Sequence, residues 1–169
     1  EQTVTEACEA IDISIIYEKG EQQVLLNGEN VTGFLRTEEV GMMASMISSY
    51  GAVRRKLTQL QQKMAAKQDV VMDGRDIGTA VLPNAQVKIY LTADAGVRAM
   101  RRYAELQERG EMCDMEAIRA DILRRDRQDM EREIAPLKKA ADAVEIDCSH
   151  MTIDEVAEAV INQILLRRG

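Results

Sequence analysis

The sequence is poor in aromatic residues: it has no tryptophan, one phenylalanine and an aromatic content of 3%. A β-sandwich core depends heavily on β-branched and aromatic side chains and is therefore disfavoured. Isoleucine, leucine, valine, alanine and ten methionines remain to fill the interior of this 169-residue chain, which is 46% hydrophobic. This composition and length predict one helix-rich α/β domain, or one such domain with an insert.

Histidine and cysteine are also scarce. The single histidine, His150, would have to serve any Ser-His-Asp triad and would be the one histidine ligand of any metal site. We interpret it as a surface-loop residue. The cysteines Cys8, Cys113 and Cys148 lie far apart without CxxC spacing, which predicts reduced structural thiols and neither a disulfide framework nor a metal site.

Acidic residues outnumber basic ones by 29 to 22, giving a net charge of −7. This balance argues against a nucleic acid or an anionic membrane surface as partner. No apolar run approaches the roughly 20 residues that span a bilayer, and no signal-peptide pattern is seen, so we expect a cytoplasmic protein. Because the sequence begins EQTVTEACEA, without Met and as if within a helix, we expect an N-terminal segment to be missing from it.

Residues 11–35 alternate apolar and polar side chains around two turn dipeptides, Lys19-Gly20 and Asn27-Gly28. Such dipeptides join short antiparallel strands. The pattern predicts a small β-meander.

A helical pattern follows the meander. Thr37 is suited to cap its start, and the pattern continues to about Lys67 with a break near Tyr50-Gly51. We therefore predict two consecutive helices in this stretch.

The second half has a different character. Short β-branched runs predict buried strands at 69–72, 87–92 and 143–147. The segments between and after them predict helices at 94–109, 114–132 and 152–167. Thr152 and Glu155 form a capping-box pattern at the start of the last helix. The order predicts a doubly wound parallel sheet that is preceded or interrupted by a lid-like insert.

The sequence DGRDIGT at 73–79 directly follows the first predicted strand of this half. Ligands bind beyond the carboxyl ends of such strands, and Asp73, Arg75 and Asp76 would lie there. The planar fork of Arg75 matches a phosphate, and Asp76 can accept a hydrogen bond from an amine or hydroxyl. A surface turn with a structural Arg–Asp pair explains the spacing equally well.

A basic stretch at 124–132 contains Arg125, Asp129 and Arg132 at spacings that share a helical face. Two guanidinium groups and a carboxylate there could bind a polyphosphate and a sugar hydroxyl. A solvated helix with salt bridges is the alternative. Arg98, Arg101 and Arg102 on the preceding predicted helix allow the same two interpretations, phosphate binding or a solvated helix surface.

Four segments together strongly resemble the bacterial cytidylate kinase family: 24–40, 70–93, 101–110 and 124–147. The resemblance implies an α/β P-loop nucleoside-monophosphate-kinase fold, in which a parallel-sheet core carries a small antiparallel-sheet insert for the monophosphate and a helical lid. It divides the chain into a remnant of a core helix (1–10), the insert (11–67), core (68–106), the lid region (107–134) and core again (135–169).

The resemblance also implies roles for single residues. Ser45, Arg54 and Asp76 are similar to the residues that read the cytosine ring. Arg125 and Asp129 match the pair that contacts the pentose.

For the phosphate, the resemblance implies that Arg75 and Arg132 hold the monophosphate and that Arg132 also meets the transferring group as the lid closes. The catalytic set implied by the family is Arg75, Arg125 and Arg132. The reaction that the resemblance implies is transfer of the ATP γ-phosphoryl group, with Mg²⁺, to CMP or dCMP by a monomeric enzyme.

The family's first strand and its GxxxxGK[ST] loop, which binds the ATP phosphates, are not found in these 169 residues. We therefore expect this stretch alone to be inactive, and the residues that bind the ATP phosphates stay unassigned. Two alternatives stay open: a non-catalytic nucleotide-binding module that has lost the loop, and a kinase for another pyrimidine monophosphate such as UMP.

Overall fold

The computed structural model describes residues 2–48 and 50–168. The chain forms two compact units, Glu1–Val71 and Met72–Gly169, and the predicted insert, 11–67, falls within the first. Glu1 and Gly169, the ends of the first and last predicted ranges, lie outside the described residues.

The first unit is a helix, a three-stranded sheet and a helix pair. Its elements are α1 (Gln2–Ala10), β1 (Ile13–Glu18), β2 (Glu21–Leu26), β3 (Glu29–Asn30), a 3₁₀ turn (Thr32–Phe34), α2 (Glu38–Ile47) and α3 (Gly51–Ala65). The strands pair antiparallel in chain order, and α1 packs against α3.

The predicted meander is confirmed down to its turns. Lys19 and Gly20 have φ of 54° and 84°, and Asn27 and Gly28 have φ of 50° and 85°. Two successive left-handed residues make the tight turn whose twist matches the flanking strands. Glycine takes this conformation without strain at the second position of each turn.

The predicted helix start and break are also confirmed. The hydroxyl of Thr37 accepts a hydrogen bond from the backbone N–H of Val40 at 3.4 Å, so Thr37 caps α2. That helix ends at Ile47 and α3 begins at Gly51, on either side of the predicted break.

The second unit follows the predicted order of strand, two helices, strand and helix. Its elements are a π-helical turn (Ile77–Val81), β4 (Ile89–Thr92), α4 (Ala95–Glu108), α5 (Met115–Glu131), β5 (Val144–Asp147) and α6 (Ile153–Arg168). Strands β4 and β5 pair in parallel and α4 packs against α5. The protein is therefore an α/β protein with a parallel sheet.

The prediction of a buried strand at 69–72 is wrong. Among the described residues, the parallel sheet contains β4 and β5 only, and Val71 is 94% exposed. An apolar β-branched run shows a tendency to extended, buried backbone but does not identify a hydrogen-bonding neighbour, and a strand forms only where one is available.

Burial is lower than composition predicts. Met42, Met43 and Met46, expected to fill the interior, are 53%, 48% and 54% exposed. A unit of about 70 residues buries only about 60% of the surface of its unfolded chain, and the methionine face of α2 lies in the uncovered remainder. As predicted, the three cysteines are free thiols and His150 is exposed.

The capping box at α6 is confirmed. The backbone N–H of Thr152 donates to Glu155 Oε2 at 2.7 Å, and the backbone N–H of Glu155 donates to the Thr152 hydroxyl at 3.3 Å. The hydrogen bonds from the backbone and then the side chain of Thr152 lower the pKa of Glu155. Within the described residues, the structure has no helix of the length and apolar character that crossing a bilayer requires.

We predict that Thr152→Ala lowers the free energy of unfolding by about 1 kcal/mol, the usual cost of losing an N-cap hydroxyl. Because the folded pKa of Glu155 lies below its unfolded value of about 4.3, its contribution is present above that pH and is lost as pH falls through the folded pKa. Denaturant titrations at several pH values measure both effects. Thr3→Ala, at an exposed position inside α1, is the control and should leave stability nearly unchanged.

Candidate functional site

Two arginines and two aspartates converge in the second unit. Arg75 Nε lies 2.9 Å from Asp129 Oδ2, although the two residues are 54 positions apart. Arg132 reaches both carboxylates: Nη2 is 3.5 Å from Asp76 Oδ1, and Nη1 is 3.6 Å from Asp129 Oδ1. We call Arg75, Asp76, Asp129 and Arg132 the arginine–aspartate cluster.

The loop before the π-helical turn positions one half of the cluster. The carbonyl of Asp76 accepts the backbone N–H groups of Thr79, Ala80 and Val81, which fixes the backbone where Arg75 and Asp76 project. Val81 at the end of this turn is 3% exposed. The turn that directly follows Asp76 is therefore anchored in the unit's interior.

The carboxyl end of α5 positions the other half. Asp129 lies in the last turn, and Arg132 is the residue that ends the helix. The guanidinium Nε of Arg132 donates to the carbonyl of Ala135 at 2.7 Å. Ala135 has a φ of 49°, a conformation that costs a non-glycine residue about 1 kcal/mol or more. This bend turns the chain back and aims the Ala135 carbonyl at Arg132.

The cluster has a shielded side and an open side. The side chains of Arg132 and Asp76 are 13% and 12% exposed, whereas that of Arg75 is 59% exposed. Its two guanidinium groups are balanced by two carboxylates, so the cluster has no formal net charge. Neighbouring guanidinium groups that reach water on one side provide the planar donors that bind a phosphate.

Arg125 is positioned differently from Asp129 and Arg132, the two residues with which its spacing grouped it. Its Nε lies 2.8 Å from Asp121 Oδ2, one turn earlier on α5, and its side chain is 48% exposed. Helical spacing brings the Cβ atoms onto one face but leaves a long side chain free to choose its partner. The structure therefore brings together Arg75, Asp76, Asp129 and Arg132, while the role of Arg125 stays a prediction.

Ser45 and Arg54 lie in the first unit, where both contact Ser48. The carbonyl of Ser45 accepts the Ser48 hydroxyl at 2.7 Å, and Arg54 Nη1 donates to the Ser48 carbonyl at 3.2 Å. Both residues are half-buried. Ser45 and Arg54 are thus connected through Ser48 at the end of α2, although helical periodicity marks neither of them.

The arginines of α4 contact protein groups. Arg98 binds Asp126 through two hydrogen bonds, Arg101 Nη2 donates to the Cys148 carbonyl at 2.7 Å, and Arg102 pairs with Glu105 at 2.8 Å. For these residues the solvated or salt-bridged interpretation is the better one. Sequence reasoning overlooked Asp126, since no periodicity relates it to a residue 28 positions earlier.

Within residues 2–48 and 50–168, no group of three or more histidine, cysteine, aspartate or glutamate side chains is placed to hold a metal ion. We therefore assign no metal ligand to these residues.

Comparison with known proteins gives one consistent result. The family model described as Cytidylate kinase matches residues 1–165. The chain is 45% identical over 168 residues to a cytidylate kinase of Lactobacillus gasseri, covering 99% of this chain and 73% of that protein. It is 50% identical over 152 residues to that of Bacillus licheniformis (90% and 67%) and 43% identical over 164 residues to that of Bacillus subtilis (97% and 73%).

We predict that Asp129→Asn tightens the binding of inorganic phosphate. The carboxylate competes with an anion for Arg75 and Arg132, and removing one partly screened charge is worth about 1 kcal/mol, or about fivefold in affinity. Phosphate titrations followed by calorimetry measure the change. Asp142→Asn removes an exposed carboxylate that pairs with Lys88 and should leave phosphate affinity unchanged. Weaker phosphate binding by Asp129→Asn would contradict this account of the cluster.

Proposed function

The chain belongs to the cytidylate kinase family, and we propose that it transfers the γ-phosphoryl group of ATP to CMP or dCMP, giving CDP or dCDP and ADP. As a member of that family the protein is a phosphotransferase, a CMP kinase. The observation that carries the assignment to particular residues is the arginine–aspartate cluster, which joins the DGRDIGT loop to the end of α5. Phosphoryl transfer needs mainly positioned positive charge, and in this proposal the guanidinium groups of Arg75 and Arg132 supply it.

In this proposal Arg75 and Arg132 bind the phosphate of CMP. Arg75 is the more exposed of the two and meets the incoming anion first. Arg132 is fixed by the Ala135 carbonyl, so its remaining N–H groups keep their direction when the anion arrives. Fixed donors lower the cost of reorganisation during the reaction.

Asp129 binds the pentose in this proposal, together with Arg125. When the phosphate takes over the guanidinium groups of Arg75 and Arg132, the carboxylate oxygens of Asp129 become free to accept a sugar hydroxyl. The exchange leaves both arginines paired with an anion, while the sugar hydroxyl hydrogen-bonds to the displaced carboxylate. Such a site tolerates the loss of one hydroxyl and accepts both CMP and dCMP.

Ser45, Arg54 and Asp76 read the cytosine base in this proposal. A base with the wrong pattern of donors and acceptors leaves polar groups of the protein without partners, which costs more than a lost contact. The hydrogen bond from Arg54 to the Ser48 carbonyl supports a fixed direction for the Arg54 guanidinium.

ATP is the phosphoryl donor in this proposal and carries the Mg²⁺. No GxxxxGK[ST] sequence occurs in these 169 residues, and the described residues hold no metal-binding group. No step at the donor phosphates is therefore assigned to these residues. We further propose the P-loop kinase fold with 11–67 as insert and 107–134 as lid, a cytoplasmic location and a monomeric state.

We expect the full-length gene product that contains this chain to make CDP from CMP and ATP, and to stop when EDTA removes Mg²⁺. A coupled assay over CMP, dCMP, UMP and AMP measures the preference. Turnover fastest with UMP would identify a kinase for another monophosphate. Binding of CMP without turnover would identify a non-catalytic nucleotide-binding module.

Arg54→Lys tests base reading. Lysine keeps the charge but loses the planar fork, so we expect the KM for CMP to rise about tenfold, as when a buried polar group loses its partner. The KM for ATP should change little. Arg55→Lys, at an exposed neighbouring position on α3, is the control and should match the wild type in both constants. Equal effects of the two variants would remove Arg54 from the base site.

A further inference from the structure

A second long-range ion pair lies beside the cluster. Arg98 of α4 and Asp126 of α5 form a two-point bridge, with Nη1–Oδ1 at 3.0 Å and Nη2–Oδ2 at 2.5 Å. The third donor of the same guanidinium, Nε, binds the carbonyl of Ala93 at 3.0 Å. The side chain of Arg98 thus connects the carboxyl end of β4 with α5.

We propose that Asp126 is a positioning residue for the reaction: through Arg98 it sets the rotation and axial position of α5 and so places Asp129 and Arg132 in the cluster. The inference rests on the proposed function in so far as Asp129 and Arg132 bind CMP. Asp126 itself touches no substrate in this proposal.

Helix geometry connects the bridge to the cluster. Asp126 precedes Asp129 by three residues and Arg132 by six, all within or at the end of one continuous helix. A slip of one residue moves a side chain by about 1.5 Å along the axis and about 100° around it. Either displacement would take Asp129 out of hydrogen-bonding range of Arg75, so fixing Asp126 fixes both downstream groups.

The bridge is suited to this task because it is directional and partly shielded. A fork-to-fork pair fixes orientation as well as distance, and the side chains of Arg98 and Asp126 are 35% and 24% exposed. The hydrogen bonding that Arg98 donates to Asp126 is the largest cause of the raised pKa of Arg98. By contrast, Arg124 and Arg125 pair with Asp121 of their own helix, which cannot hold α5 against another element.

The test uses the full-length gene product and five variants: two in the bridge, two matched controls and the rescue variant Asp126→Glu. Asp126→Asn removes the charge of the bridge, and Arg98→Lys removes its fork while keeping its charge. The matched controls are Glu105→Gln and Arg102→Lys, which make the same kinds of change in an exposed ion pair within α4. Steady-state kinetics, thermal melting and the NMR signal of the Arg75 Nε–H group, which is bonded to Asp129, are recorded for each.

We expect both bridge variants to raise the KM for CMP by about tenfold or more, since misplacement of about 1 Å at a site costs up to about a hundredfold. The KM for ATP should change much less. The Arg75 Nε–H signal should move towards that of an exposed arginine, and Asp126→Glu should recover part of the CMP affinity. The control variants should match the wild type in every readout.

A lower melting temperature with unchanged KM and an unmoved Arg75 signal would make the bridge merely structural and overturn the inference. If Asp126→Asn does not fold, Arg98→Lys decides by the same readouts. The NMR signal needs no substrate. If the wild-type protein does not turn over CMP but the Arg75 signal still shifts in the bridge variants, the proposed function is rejected, while the placing of Asp129 and Arg132 through Asp126 is retained.

Discussion

The contact on which the candidate site depends is the one between Arg75 and Asp129. It joins a loop and a helix end that are 54 residues apart, with 2.9 Å between donor and acceptor. Exposed ion pairs contribute only about 0–1 kcal/mol to stability, and Arg75 is largely exposed, so this pair adds little to the fold. Its value is geometric, since it brings two arginines together at one point that water reaches.

Charge balance explains why such a site can exist before a ligand arrives. Two adjacent guanidinium groups without counter-charges would repel each other, and Arg132, 13% exposed, would lose hydration that nothing replaces. Asp76 and Asp129 remove both penalties. The carboxylates thus have a role in the empty protein that is independent of any role with substrate.

Local chemistry was predictable from the sequence and long-range pairing was not. Thr37 and Thr152 indicate helix starts because an N-cap depends only on the next three residues. Both predicted caps are confirmed. The strand predicted at 69–72 does not form because strand formation depends on a hydrogen-bonding neighbour that composition does not specify. Arg125 shares a helical face with Asp129, yet it bonds to Asp121, since its flexible side chain can reach either carboxylate.

The difference between local and long-range contacts also explains why Asp126 could not be identified from the sequence. In the sequence it is one of several carboxylates in a charged helix, and its importance comes from an arginine 28 positions earlier that also holds the carboxyl end of β4. All three guanidinium nitrogens of Arg98 donate to protein groups, whereas the side chain of Arg75 is 59% exposed and is the one that we propose binds a phosphate. The two arginines have a similar sequence context, and only the geometry of their partners distinguishes them.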